Sequence, residues 1–276
     1  MRTIGADLGG TWLRLCLADT DQGSFLLHRE PAVPFEGIAA AFKRLNSRPS
    51  LRQGARGPRP DRLVLGSTGI WSAGRRRAAT AALQGKACRV LVLSDIELAR
   101  VAAFAGGPGI LVVGGTGSVA YGRDGQGSAR RAGGLGCLLG DEGSGFWIGR
   151  EALRDPRLRR RLPGPDPLEL VHAPRPARAI AALAPTVLGL AGRDPGFARI
   201  RRDACRALAD LALEVRRELA FDGPAPVSWH GGLFRDRGFL EAFLLSLEKS
   251  GGFDPRPALL RAEVAAAVLP LRVLKA

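Results

Sequence analysis

One pattern occurs twice in this 276-residue chain: an apolar strand, a Gly-Gly-Thr corner and a second strand. The first copy is Thr3 to Asp19, TIGADLGGTWLRLCLAD, where Leu13, Leu15 and Leu17 alternate with Trp12, Arg14 and Cys16 after the Gly9-Gly10 corner. The second runs from Ile110 to Val113, turns through Gly114-Gly115-Thr116-Gly117 and returns along Ser118 to Arg123. Thr11 and Thr116 stand 105 positions apart in equivalent contexts, which predicts a duplicated unit, one copy per domain. The length agrees, being long for one core and short for three, so two domains with a cleft between them are expected.

Around these hairpins the elements alternate. A third strand is expected over Ser24 to Arg29, then a helix striped by Ile38, Phe42 and Leu45, and a polar linker from Pro49 to Pro60. Strand Arg62 to Gly66, helix Ala73 to Leu83, strand Arg89 to Leu93 and helix Ile96 to Ala105 follow. A strand meander followed by alternating helices and strands predicts an α/β fold, a mixed sheet with helices packed on it. In the second half, a proline- and arginine-rich loop region from Arg154 to Arg178 precedes helices Ala179 to Leu190 and Asp194 to Leu219, strand Pro226 to Trp229 and a helix striped by Phe239, Phe243 and Leu247. The apolar tail, Leu259 to Leu274, is placed back on the first domain. The expected division is therefore 1–106 with 257–276, and 107–256.

Between the halves of the second unit lies Gly133 to Gly149, GGLGCLLGDEGSGFWIG, leading into a helix from Phe146 to Arg154. So many glycines cost ordering entropy, so something must approach this backbone closely. Asp7, at a strand end before Gly9, Gly10 and Thr11, fits a phosphate-cradling nest with a carboxylate placed to hold magnesium through water; an ordinary hairpin with a surface acid fits as well. The echo at Gly114 to Ser118 adds a second cradle, with the Thr116 and Ser118 hydroxyls as donors. Asp95, between a strand and a helix, is either a helix N-cap, a role Ser94 also fits, or a general base. Asp141 and Glu142 read as solvated loop acids, as helix-start charges or as site residues. His28, His172 and His230 are isolated from any catalytic grouping.

Composition narrows the classes. The net charge is +15, but all except four of the 41 basic residues are arginine, which reads first as a codon preference and only second as a nucleic-acid surface. The runs Arg75 to Arg77 and Arg159 to Arg161 lack interleaved aromatics, so nucleic acid is not the expected partner. Cys16, Cys88, Cys137 and Cys205 are scattered without a CxxC pair, which points away from disulfides and zinc and towards a reducing, cytoplasmic setting. No N-terminal targeting pattern or membrane-length apolar run is read.

Taken in order, GADLGGTWLR, LVVGGTGSVAYG, GGLGCLLGDEGSGFWIG and SWHGGLF resemble the N-acetylglucosamine kinases within the BadF/BadG/BcrA/BcrD-type ATPases, part of the actin-like, sugar kinase and Hsp70 superfamily. The resemblance implies two ribonuclease-H-like domains closing over ATP and a sugar. It implies phosphate binding by Gly9, Gly10 and Thr11, with Asp7 near magnesium, and a second phosphate loop at Thr116 and Gly117. It makes Asp95 the catalytic base, lines the sugar with Asp95, Ser118, Gly134, Gly136 and Asp141, and puts Gly231 and Gly232 under the adenosine. The chain departs from the family pattern at the sugar: no Asn follows the third strand in REPAVPFEG, Leu135 stands where Trp is usual, Val119 follows GTGS, and Val264 to Ala267 lacks the usual glycine.

The expected activity is thus ATP-dependent phosphorylation of a hexose or amino sugar, N-acetylglucosamine or glucosamine first, with ATP and Mg as cofactors and a homodimer left open. Two alternatives belong to other classes: a BadF-type ATPase doing mechanical work on a protein partner, and a nucleotide-binding regulator without turnover.

Overall fold

The computed structural model describes residues 1–32, 37 and 60–275. The helix expected at Ile38, Phe42 and Leu45, nearly all of the linker to Pro60, and the VPFE of REPAVPFEG lie outside the described residues. The chain divides into two compact units, Met1–Gly107 with Ala258–Ala276, and Pro108–Pro257.

The first unit is a five-stranded sheet of order β3-β2-β1-β4-β5. Its strands are β1 (Arg2–Leu8), β2 (Trp12–Asp19), β3 (Ser24–Pro31), β4 (Arg62–Ser67) and β5 (Arg89–Ser94). β1, β2 and β3 pair antiparallel, whereas β1-β4 and β4-β5 pair parallel. Side chains alternate across the sheet, so Leu63 and Leu65 pack with Leu83 of helix α1 (Ala73–Leu83) on one face. Val64 joins Leu98 and Val101 of helix α2 (Asp95–Phe104) on the other.

The apolar tail forms α10 (Ala262–Val268) and α11 (Leu271–Leu274) and belongs to this unit. Two features fix it there. Gly5 lets the α10 backbone lie directly on β1, since a Cβ there would run into the carbonyl oxygen of Glu263 and stand 2.5 Å from the amide nitrogen of Ala267. Arg62, only 5% exposed, donates from Nη1 to the Leu269 carbonyl (2.8 Å) and from Nη2 to the Ala267 carbonyl (2.7 Å). Carbonyls at a helix C-terminus have no partner within the helix, and the guanidinium supplies one.

The second unit repeats the topology as β10-β9-β6-β7-β8, comprising β6 (Gly109–Gly114), β7 (Ser118–Arg123), β8 (Ala129–Gly133), β9 (Ala225–His230) and β10 (Phe253–Pro255). Again the first three strands pair antiparallel and the rest parallel. The duplication and the α/β class expected from the two Gly-Gly-Thr hairpins are present. Strands β8 and β10 went unread because they are short and Arg130, Arg131 and Asp254 break the apolar pattern. The helix at the end of the glycine-rich stretch, α3 (Gly145–Arg154), starts one residue earlier than expected, capped by Ser144.

The supposed loop from Arg154 to Arg178 is corrected. It holds α4 (Pro156–Arg159), α5 (Pro167–Val171) and the start of α6 (Pro176–Ala181). Proline costs nothing at the first helical position, where its missing N–H would have no partner, and Asp155 and Asp166 cap the first two. The expected helix Ala179 to Leu190 is two helices, α6 and α7 (Ala184–Leu190), the second with Pro185 in its first turn. The long α8 (Pro195–Arg217), capped by Asp194, and α9 (Arg237–Ser250) cover the sheet, with Phe197, Leu208, Phe239 and Phe243 in one core.

Replacing Gly5 with Ala should push α10 off β1 and cost about 1–3 kcal/mol. Urea denaturation of Gly5→Ala, with limited proteolysis of the tail, measures this.

Candidate active site

In the first unit the candidate residues gather at the carboxyl ends of parallel strands. β1 ends in Asp7-Leu8 and the Gly9-Gly10 corner, while β5 ends in Ser94 and runs into Asp95. β4 lies between them, with Asp7 beside Gly66 and Ser67 beside Ser94. Two strand spacings of about 4.8 Å therefore separate the two chain positions laterally. Ligands of open α/β sheets bind at this edge, just outside the strand ends.

Asp7 is 5% exposed and faces Arg14 across the β1-β2 pair, where Arg14 Nη1 donates to Asp7 Oδ2 at 2.8 Å. The sequence reading missed this partner, although both residues flank one hairpin and antiparallel register pairs them directly. Gly9 closes the hairpin by donating its N–H to the Trp12 carbonyl at 3.0 Å, while Gly10 and Thr11 are exposed beyond it. A Cβ on Gly10 would meet nothing within 4 Å, so the chain's own packing does not call for glycine there.

Asp95 is not the N-cap of α2. Ser94 holds that role in a capping box: its Oγ accepts from Glu97 N–H at 3.3 Å, and Glu97 Oε2 accepts from Ser94 N–H at 2.7 Å. Arg76 clamps Glu97 with two contacts of 3.1 and 2.9 Å. The Ser-x-x-Glu spacing of Ser94 and Glu97 carries that signal in the sequence. Asp95 is the first helical residue, half-buried, with Oδ1 accepting from the Ile96 N–H at 2.9 Å.

In the second unit the loop after β6 and the turn after β9 lie side by side. Gly231, at φ 116°, sits so close to Gly114 that a Cβ would run into its carbonyl; Gly232 next to it is exposed with open space around it. Thr116 is exposed at the tip of the β6-β7 corner. The glycine-rich stretch folds back onto that corner: Gly145 N–H donates to the Gly115 carbonyl (2.8 Å), Phe146 N–H to the Thr116 carbonyl (3.1 Å) and Gly134 N–H to the Ser118 carbonyl (2.9 Å).

Asp141 is nearly buried, and its Oδ1 accepts from the Ser118 N–H at 3.1 Å. Burial pushes its carboxyl above the ordinary range, and the nearby Glu142 charge adds to this, while the Ser118 amide acts in the opposite direction. The structure thus gathers Thr116, Gly117, Ser118, Gly134 and Asp141 into one hydrogen-bonded group beside Gly231 and Gly232. Gly136 stands further out, in a loop whose Leu135, Leu138 and Leu139 are exposed, Leu138 at 92%.

Much of the glycine count in this stretch serves contacts within the chain. A Cβ on Gly143 would stand 2.5 Å from the Ala204 carbonyl, one on Gly145 2.9 Å from the Gly115 carbonyl, and one on Gly149 would run into the Ile180 carbonyl. The close neighbour that the sequence demanded is backbone of its own unit.

Two copies of a mixed five-stranded sheet, each presenting a glycine corner at one edge, define the actin-like class of two-domain α/β proteins. The chain belongs to the BadF/BadG/BcrA/BcrD ATPase family, whose pattern matches residues 4–268. It is 42% identical over 66 residues to the N-acetylmuramic acid/N-acetylglucosamine kinase of Clostridium acetobutylicum, a match spanning 24% of this chain and 22% of that relative's length. Its structure is similar to that of a candidate N-acetylglucosamine kinase from Chromobacterium violaceum, with a TM-score of 0.75 and 26% identity over 99% of this chain and 98% of that one. It shares its fold with a ROK family glucokinase from Streptomyces griseus solved with glucose and AMPPNP, with a TM-score of 0.63 and 20% identity over 99% and 100% of the two chains.

Glycines with open surroundings should tolerate a methyl group and packed ones should not. In urea denaturation, Gly10→Ala and Gly232→Ala are expected within about 0.5 kcal/mol of wild type. Gly231→Ala, which meets both a positive φ and a carbonyl, is expected to lose about 2 kcal/mol or more.

Proposed function

We propose that this protein is an ATP-dependent sugar kinase that transfers the γ-phosphoryl group of ATP to a hydroxyl of a hexose or amino sugar. The observation that carries this reading is the position of Asp95. A carboxylate at the carboxyl end of a parallel strand, on the same sheet edge as the Gly9-Gly10 corner and one residue past the Ser94 cap, is placed to accept a proton from a substrate hydroxyl. Family membership and the likeness to the Chromobacterium protein support the same reading.

In this reading the two units are the two ATPase-like domains, each with candidate binding residues at its own sheet edge. Gly10 and Thr11 bind phosphate with backbone N–H groups, Gly9 shapes their turn, and Thr116 and Gly117 form the second phosphate loop. Gly231 and Gly232 lie under the adenosine, Gly231 holding the turn against β6 and Gly232 offering an open surface. Asp95 aligns the sugar hydroxyl and takes its proton as the phosphoryl group arrives, while Ser118, Gly134, Gly136 and Asp141 line the sugar side.

Asp7 fits magnesium only in a limited sense. It offers one carboxylate, already sharing Oδ2 with Arg14, and the described residues hold no group of three or more His, Cys, Asp or Glu placed for a metal. A magnesium ion that keeps most of its waters and takes its other ligands from substrate phosphates needs no more than that. When bound, the ion would neutralise charge on the β- and γ-phosphate oxygens. Among the described residues no helix is long and apolar enough to cross a membrane. We place the enzyme in the cytoplasm, where ATP is at hand and the four cysteines, all free, stay reduced.

The sugar is N-acetylglucosamine or glucosamine in this proposal. Leu135, in place of an aromatic ring, and Val119 alter the lining where an acetamido group would be read, so the choice between the two rests on measurement. Asp95→Asn is expected to keep ATP binding and to lose sugar-dependent ADP release by a factor of about 10²–10⁴. A coupled ADP assay with N-acetylglucosamine, glucosamine, glucose and N-acetylmuramic acid tests it; unchanged turnover in the variant would refute the assignment of the base. Gly10→Ala, whose surroundings leave room for the methyl group, should weaken ATP binding in the same assay.

A further inference from the structure

We propose that Asp141 is a positioning residue that holds the second phosphate loop, coupling the glycine-rich stretch Gly133 to Gly149 to nucleotide binding; this rests on the kinase reading above and adds to the sugar contact assigned there. Four observations converge on it. First, the Asp141 backbone is left-handed, with φ 65°, a conformation that costs a non-glycine residue free energy. Asp is among the few side chains that tolerate it, and the backbone geometry aims its carboxylate back at the β6-β7 corner.

Second, that carboxylate rests on Gly117. A Cβ at position 117 would stand 2.7 Å from Asp141 Oδ1 and 2.8 Å from Oδ2, so no larger residue fits beneath it. Third, every polar group of Ser118 is tied to the same stretch. Its N–H donates to Asp141 Oδ1 (3.1 Å), its Oγ donates to the Glu142 carbonyl (2.7 Å), and its carbonyl accepts from the Gly134 N–H (2.9 Å). Fourth, the Asp141 carbonyl accepts from the N–H of Ser144, the cap of α3, at 3.1 Å. The helix start, the acid and the corner therefore form one closed set of hydrogen bonds.

A side chain that only touched sugar would have no need of this arrangement. Ser118, which follows Thr116 and Gly117 directly, cannot shift without breaking a bond to Asp141, Glu142 or Gly134, and the Thr116 carbonyl is itself held by the Phe146 N–H. A sugar that orders the exposed Leu135–Leu139 loop thereby acts on the phosphate loop through the same residues, with Asp141 as the link.

The test measures nucleotide affinity with no sugar present, by titrating a non-hydrolysable ATP analogue with magnesium into the full-length protein in a calorimeter. Asp141→Asn keeps an oxygen that accepts from Ser118 and tolerates the left-handed backbone; its affinity is expected within about threefold of wild type. Asp141→Gly adopts the same φ without strain but has no acceptor, and its affinity is expected to fall about tenfold, with KM for ATP rising in parallel. Melting temperatures identify any variant that fails to fold. In that event Ser118→Ala, which removes the tie to Glu142, serves as the second measure, with about a threefold loss expected. Wild-type affinity in Asp141→Gly, with a raised KM for sugar alone, would overturn the inference and leave Asp141 a sugar contact only. Equal weakening in Asp141→Asn and Asp141→Gly would also overturn it, since charge and not the acceptor would then matter. A wild-type protein that binds no ATP analogue would sink the kinase reading itself.

Discussion

Both units depend on backbone lying directly against backbone at glycines. In the first, α10 reaches β1 because Gly5 has no side chain, and the last carbonyls of that helix are then close enough for Arg62 to satisfy them. In the second, α3 lies against the end of α6 at Gly145 and Gly149, and the turn after β9 lies against β6 at Gly231. A methyl group at any of these positions would separate the elements, and in a close-packed interior such a separation is not absorbed locally.

These contacts matter for chemistry because of where the sheets change direction. Each begins as an antiparallel hairpin and continues with parallel strands, so the hairpin corner and the ends of the parallel strands share one edge. In the first unit that edge carries Asp7, Gly10, Thr11 and Asp95. In the second it carries Thr116, Gly117 and the Gly231-Gly232 turn. The topology, used twice, produces two edges rich in exposed backbone next to a small number of buried carboxylates. Such an edge suits a polyphosphate, which needs many N–H donors and little bulk.

The carboxylates differ in how they are held. Asp7 shares an oxygen with Arg14, Asp95 starts a helix whose cap is supplied by its neighbour, and Asp141 is buried against a loop amide. Three chemically identical side chains thus have three different surroundings.

The duplicated hairpins, the alternation of Leu13, Leu15 and Leu17, and the GDEGS segment determined the fold class, the two units and the family, because period and turn chemistry act over a few residues and are written locally. The same local logic singled out Asp7, Asp95 and Asp141 as candidates, and the Ser94-x-x-Glu97 spacing carried the capping box. What only the tertiary structure decided was each residue's partner: Arg14 for Asp7, Ser118 for Asp141, the Leu269 and Ala267 carbonyls for Arg62, and the Ile180 carbonyl over Gly149. The strands β8 and β10 and the short proline-started helices belong with these. Pairing, close approach and the burial that sets a carboxylate's role join positions far apart in the chain, and no local pattern specifies a distance between them.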